Sequence, residues 1–110
     1  MGLAAFVLAG CGPNLEAAVN GRLSFRGNPV AGAQVVFQFK GQGPVGYAIT
    51  DDEGNYRLST GGNAGVIPGI YRVAISSPDV KLPDPYGSVV TSPLEFDVKS
   101  GNNEIDIALE

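Results

Sequence analysis

From Val19 onward apolar and polar residues alternate in short runs broken by glycine and proline, the period-two pattern of strands with one buried face. Val19, Leu23 and Phe25 take one side of the first run, and Asn20, Arg22 and Ser24 take the other. Arg26-Gly27-Asn28-Pro29-Val30 then predicts a turn, because Pro29 presets φ and Gly27 accepts a positive one. In the next strand Ala33, Val35, Phe37 and Phe39 alternate with Gln34, Val36 and Gln38, and Gly41-Gln42-Gly43-Pro44 closes it. Residues 45–50 and 55–60 supply a third and a fourth strand, with Tyr56 and Leu58 inward and Asp51-Asp52-Glu53-Gly54 as the hairpin between them.

After a glycine-rich loop at 61–69, Tyr71, Val73 and Ile75 alternate with Arg72, Ala74 and Ser76 in a strong strand. Residues 77–93 hold four prolines and read as a surface loop crossing between sheets. Two strands finish the chain: Leu94, Phe96 and Val98 opposite Glu95, Asp97 and Lys99, then Ile105, Ile107 and Leu109 opposite Glu104, Asp106 and Ala108. A hairpin turn at 100–103 is expected between them. About seven such strands predict an all-β fold, a single Greek-key β-sandwich.

A chain of 110 residues suits one domain with one core, and its 16 glycines and 8 prolines favour short strands over long helices. Seven Lys and Arg against eleven Asp and Glu give a net charge of -4, with no basic cluster to follow a phosphate backbone, so nucleic acid is not an expected partner. The single cysteine forms no intrachain disulfide. There is no histidine, which removes the Ser-His-Asp, Cys-His and His-metal schemes together. A non-enzymatic role without a cofactor is the expectation.

The apolar run at 3–9 falls far short of the roughly 18 residues of a membrane span, yet fits the core of a secretory signal. It ends in Leu8-Ala9-Gly10-Cys11, which resembles the bacterial lipobox. That resemblance implies a signal at 1–10, lacking the usual positive segment as if truncated at its start, and lipidation of Cys11 after cleavage. Residues 11–18 become a lipidated tether and 19–110 the sandwich domain, anchored to a membrane it does not span. Gly12, in place of an inner-membrane retention aspartate, favours the outer membrane. The alternative leaves 3–9 as an edge strand and Cys11 as a small buried hydrophobe.

Three motifs carry a second resemblance. Gly27-Asn28-Pro29-Val30-Ala31-Gly32-Ala33-Gln34-Val35, Thr50-Asp51-Asp52-Glu53-Gly54-Asn55-Tyr56 and Pro68-Gly69-Ile70-Tyr71-Arg72-Val73 resemble the carboxypeptidase regulatory-like domain, a transthyretin-like sandwich. The tail, with Tyr86, Ser92-Pro93-Leu94 and Gly101-Asn102-Asn103, is similar to small bacterial lipoproteins built on it. The resemblance implies an accessory, adhesive or structural module of the cell envelope, binding a protein or a polysaccharide. Fold alone implies no activity.

Candidate sites are few. Asp51, Asp52 and Glu53 offer oxygen ligands for calcium, which would make a calcium-dependent adhesion module; three in a row, instead of at alternating positions, fit a simple turn better. Tyr47 and Tyr86 are the aromatics least assigned to the core, available to stack on a sugar or anchor a partner, or else to pack beneath the long loop. Tyr71 reads as a corner tyrosine bonding the backbone. The transthyretin-related hydrolase uses histidines and a tyrosine-rich C-terminal motif, whereas this chain ends Ile-Asp-Ile-Ala-Leu-Glu. An intradiol dioxygenase site fails on the same missing histidine.

Overall fold

The computed structural model describes residues 15–40, 45–78 and 80–109. The Leu8–Cys11 segment, with the expected lipidation site Cys11, lies outside the described residues, as does the turn expected at 41–44. Eleven strands occur among the described residues: β1 (Ala17–Phe25), β2 (Asn28–Pro29), β3 (Gln34–Phe39), β4 (Val45–Ile49), β5 (Asn55–Arg57), β6 (Ser59–Thr60), β7 (Asn63–Ala64), β8 (Gly69–Ser76), β9 (Glu95–Val98), β10 (Gly101–Glu104) and β11 (Ile107–Leu109). They form two sheets packed face to face, so the chain is an all-β sandwich.

One sheet is organised around β1. Its first half pairs antiparallel with β5 and parallel with β10, and its second half pairs antiparallel with β2 and parallel with β11. The other sheet runs β7-β6-β4-β3-β8-β9 and is antiparallel throughout. Between them Val19, Leu23, Tyr56, Ile107 and Leu109 from the first sheet meet Val35, Phe37, Val73, Ile75 and Val98 from the second, all buried. Phe37 sits at the centre, its ring 6.4 Å from Tyr56 across the sheets and 5.8 Å and 6.1 Å from Tyr71 and Phe96. The alternation placed these residues inward, and it does so because only one face of each sheet is covered.

The connections differ from expectation in three places. Asp51-Asp52-Glu53-Gly54 is not a hairpin within one sheet but a crossover, since β4 belongs to the wider sheet while β5 pairs with β1. Gly54, at φ +82°, lets β1 take the chain at once: a Cβ there would lie 2.6 Å from the Leu23 carbonyl, and the Leu23 amide donates to Gly54 O at 2.8 Å. The segment 55–60 therefore splits, Leu58 donating its amide to Val19 O while Ser59 joins β4.

Residues 100–103 are likewise no hairpin turn, because β9 pairs with β8 while β10 runs parallel to β1. The Asn103 side chain explains this. Its Oδ1 accepts from the Lys99 amide at 3.0 Å, and its Nδ2 donates to Lys99 O and to Ala18 O on β1. It thus does the bonding of a turn and leaves the backbone of β10 to pair. The loop at 77–93 does not cross between sheets either: it leaves β8 and returns as β9, its immediate neighbour. Val80, Leu82 and Tyr86 from this loop pack on the core, covering apolar surface of a six-stranded sheet wider than the sheet facing it.

Candidate functional site

Alternation that sends Val19 and Leu23 inward sends Asn20 and Arg22 of β1 to the outer face of the β1-centred sheet. Register adds the neighbours. Asn20 lies between Arg57 of β5 and Glu104 of β10, and Arg22 faces Asn55 of β5. On its other side the Arg22 amide donates to Asp106 Oδ1 at 3.0 Å, so this carboxylate takes the place of a ladder partner between β10 and β11. The resulting rows, Arg57-Asn20-Glu104 and Asn55-Arg22-Asp106, line a cleft of about 630 Å³ with Gly21 and Tyr56 beneath and Ile49 and Asp51 at its rim.

Electrostatics in the cleft are mixed. The ion pairs among the described residues, Lys40–Glu95 at 3.3 Å, Arg72–Glu95 at 3.8 Å and Lys99–Asp97 at 2.8 Å, all lie on the other sheet. Neither Arg22 nor Arg57 joins one. Their guanidinium groups therefore remain planar donor forks beside acceptor carboxylates and amides that both donate and accept. Tyr56 contributes no reactive hydroxyl: it donates to Ile105 O at 2.6 Å, and burial, with the Asp106 charge added, pushes its ionisation well above the usual phenol range. Asp51 is held below the usual carboxylate range by amide hydrogen bonds from Asn55 and Glu53, with Arg22 adding a smaller effect. One group thus stays protonated and the other ionised across neutral pH.

The remaining candidates fall apart from one another. Asp51 Oδ1 accepts from the Glu53 and Asn55 amides, each at 2.9 Å, and the Gly54 amide donates to Asp51 O at 3.0 Å, so its carboxylate closes the turn. Asp52 and Glu53 are exposed beside it, and among the described residues no three His, Cys, Asp or Glu side chains converge as a metal would require. Tyr47 projects from β4 and is exposed, flanked on the same face by Val45 and Ile49. Tyr86 is half-buried and packs against the core from the 3₁₀ turn at Asp84–Gly87. Tyr71 is buried near the start of β8 with its hydroxyl donating to Ile67 O at 2.6 Å, the corner role its place at a strand start implies. No family model, no curated protein and no solved structure matches the chain.

Alternation puts Glu104 and Asp106 outward, as on any solvated strand face, and gives no reason to single out Arg22 or Arg57. Alternation was the one signal available, since it put Asn20 and Arg22 on a common face. The parallel pairing that carries Glu104 to Asn20 has no local signature.

Proposed function

We propose that the chain is a non-catalytic binding module of the cell envelope, held at a membrane surface by lipid on Cys11, which offers the cleft of its β1-centred sheet to a glycan. The observation that carries the binding half is the lining: Arg22 and Arg57, outside any ion pair among the described residues, alternate with Asn20, Asn55, Glu104 and Asp106. Sugar hydroxyls donate and accept at once, and a planar guanidinium, amide or carboxylate can meet two neighbouring hydroxyls together. An anionic ligand would be opposed by Asp51, Glu104 and Asp106, and a cationic one by the two arginines, so a neutral, hydroxyl-rich chain suits this lining best. Ile49 leads from the cleft to Tyr47, about 7 Å further along the same face of β4. The exposed Tyr47 ring supplies the flat apolar surface on which a sugar face stacks.

Other features support parts of this reading. The anchoring half rests on Leu8-Ala9-Gly10-Cys11, and the outer membrane on Gly12. Membership of the carboxypeptidase regulatory-like group, with its Greek-key transthyretin-like topology, draws support from the buried Thr50 hydroxyl, which bonds two of the motifs together. A non-catalytic role draws support from a chain without histidine and a cleft whose Asp51 and Tyr56 keep their protonation states near neutrality. The calcium-dependent alternative has less support, because the Asp51 carboxylate already serves two amides.

The test is a titration of the ¹⁵N-labelled chain with maltohexaose, cellohexaose and chitohexaose. Binding at residues 20–22, 47–49, 55–57 and 104–106, weakened by Arg57→Ala, is expected with at least one of them. Shifts elsewhere, or none with any of the three, would contradict the glycan reading.

A further inference from the structure

We propose that the end of the sandwich from which the N-terminal tether leaves is a membrane-resting face, an inference that rests on the lipid anchor at Cys11 proposed above. Strand registers define that end. Ala17 opens β1, bridges to Val66 and pairs with Gly101. On the wider sheet Gln38 pairs with Val45, the Lys40 amide donates to Ile70 O at 2.9 Å, and Gly69 pairs with Val98. The start of β1, the end of β3, the starts of β4 and β8 and the end of β9 therefore lie together.

Exposed apolar side chains gather there. Val45, Ile70 and Val90 are 39%, 43% and 79% exposed. Val89 and Val90 of the long loop stand over β3 and β8 at this end, lining a shallow groove of about 400 Å³ with Gln38, Phe39, Lys40 and Arg72. Of the basic groups nearby, Lys40 and Arg72 share Glu95 and Lys99 pairs with Asp97, while Glu16 is exposed beside the start of β1. At the opposite end Phe25 pairs with Asn28 and Leu109, Gln34 pairs with Ile49 and Ser76, and the turn after Ile49 sets out Asp51, Asp52 and Glu53 in a row. Ile49, 54% exposed, adjoins that turn and Tyr47 lies midway, so three of the five exposed large apolar side chains among the described residues are at the tether end, and the row of three acidic residues is at the other.

The partner that fits is a lipid bilayer, for two reasons. Four residue steps lead from Cys11 to Leu15, a reach of at most about 14 Å, so lipid on Cys11 keeps this end near the headgroups. Contact is then intramolecular, at an effective concentration in the millimolar range, and a few aliphatic side chains are enough to set orientation. The acidic turn lies level with Leu23, six strand steps or about 20 Å from Ala17, which exceeds the Debye length of about 8 Å at physiological salt. An anionic leaflet beneath the tether end leaves those carboxylates unopposed, whereas the inverted module would press them against like charge. In the upright orientation the cleft on the β1-centred sheet faces sideways, open to a glycan.

The test couples the full chain through Cys11, its one thiol, to a maleimide phospholipid in a phosphatidylcholine and phosphatidylglycerol nanodisc carrying doxyl-labelled lipid. Amide broadening is then read along the chain by NMR. Several-fold greater broadening at residues 40, 45, 70, 90 and 99–101 than at 26–28 and 51–54 is expected. The Val90→Asp and Ile70→Asp variants, both at exposed positions and checked for an unchanged fold by spectral dispersion, are expected to narrow that difference to what the tether alone imposes, and an unchanged difference in both variants overturns the proposal. Equal broadening at both ends in the wild-type chain, or more at 26–28 and 51–54, overturns the proposal. Chemical coupling makes the result independent of whether the cell lipidates Cys11, so a failure here is distinct from a failure of the anchor itself.

Discussion

Gly21 of β1 lies against the Ile105 carbonyl so closely that a Cβ on it would collide with that oxygen and with the Ile105 carbonyl carbon. The contact lets the segment between β10 and β11 settle onto β1, where the Ile105 amide donates to Asn20 O at 2.9 Å. The same Ile105 oxygen accepts the Tyr56 hydroxyl at 2.6 Å. Gly21→Ala, which forces backbone against backbone, is therefore expected to destabilise the fold by about 2–3 kcal/mol. Tyr56→Phe removes the hydroxyl and its bond, with an expected loss of about 1 kcal/mol. Urea denaturation of both variants checks the order, and a Gly21→Ala variant as stable as wild type would contradict the packing described.

Thr50 holds two turns at once. Its buried hydroxyl donates to Val30 O at 2.6 Å and accepts from the Ala33 amide at 2.9 Å, fixing the Asn28 to Ala33 turn onto the end of β4. Thr50→Val keeps the shape and leaves both backbone groups without that partner, at an expected cost of about 2–4 kcal/mol. Thr50→Ser keeps the hydroxyl and is expected to recover most of it in thermal melts.

Asp51 gives a pH dependence with a definite sign. Its ionisation is depressed in the folded chain by the Asn55 and Glu53 amides, so the stabilisation is present above the ordinary carboxylate range and lost as pH falls through the folded value. The melting temperature is expected to drop in acid less steeply for Asp51→Asn than for wild type. Because the same carboxylate serves those amides, added calcium is expected to leave the melting temperature unchanged; a rise with concentration would show binding to the folded state.

The two candidate tyrosines are expected to separate cleanly. Tyr86 packs on the core, so Tyr86→Ala is expected to cost about 2–4 kcal/mol, near the range for truncating a partly buried aromatic. Tyr47 is 40% exposed, so Tyr47→Ala is expected to stay within about 0.5 kcal/mol of wild type while weakening hexasaccharide binding. Paired melts and titrations distinguish these outcomes.

Facing was legible in the chain and partnership was not. Val19, Val35, Phe37, Val73 and Leu109 could be assigned inward because a period of two needs only neighbours in sequence. That 55–60 would divide between sheets, or that 101–104 would pair parallel to β1, depends on Gly54 admitting the Leu23 carbonyl and on Asn103 reaching Ala18 O. These contacts join residues remote in sequence. The cleft shares that limit, since Arg22 and Asp106 meet across 84 positions.

The mass of the N-terminal peptide of the native protein, taken from its membrane fraction, decides whether this binding module is lipid-anchored. A peptide beginning at Cys11, heavier by a diacylglyceryl group and an acyl chain, is expected. A peptide that retains residues 1–10 with a free Cys11 thiol would contradict the anchor.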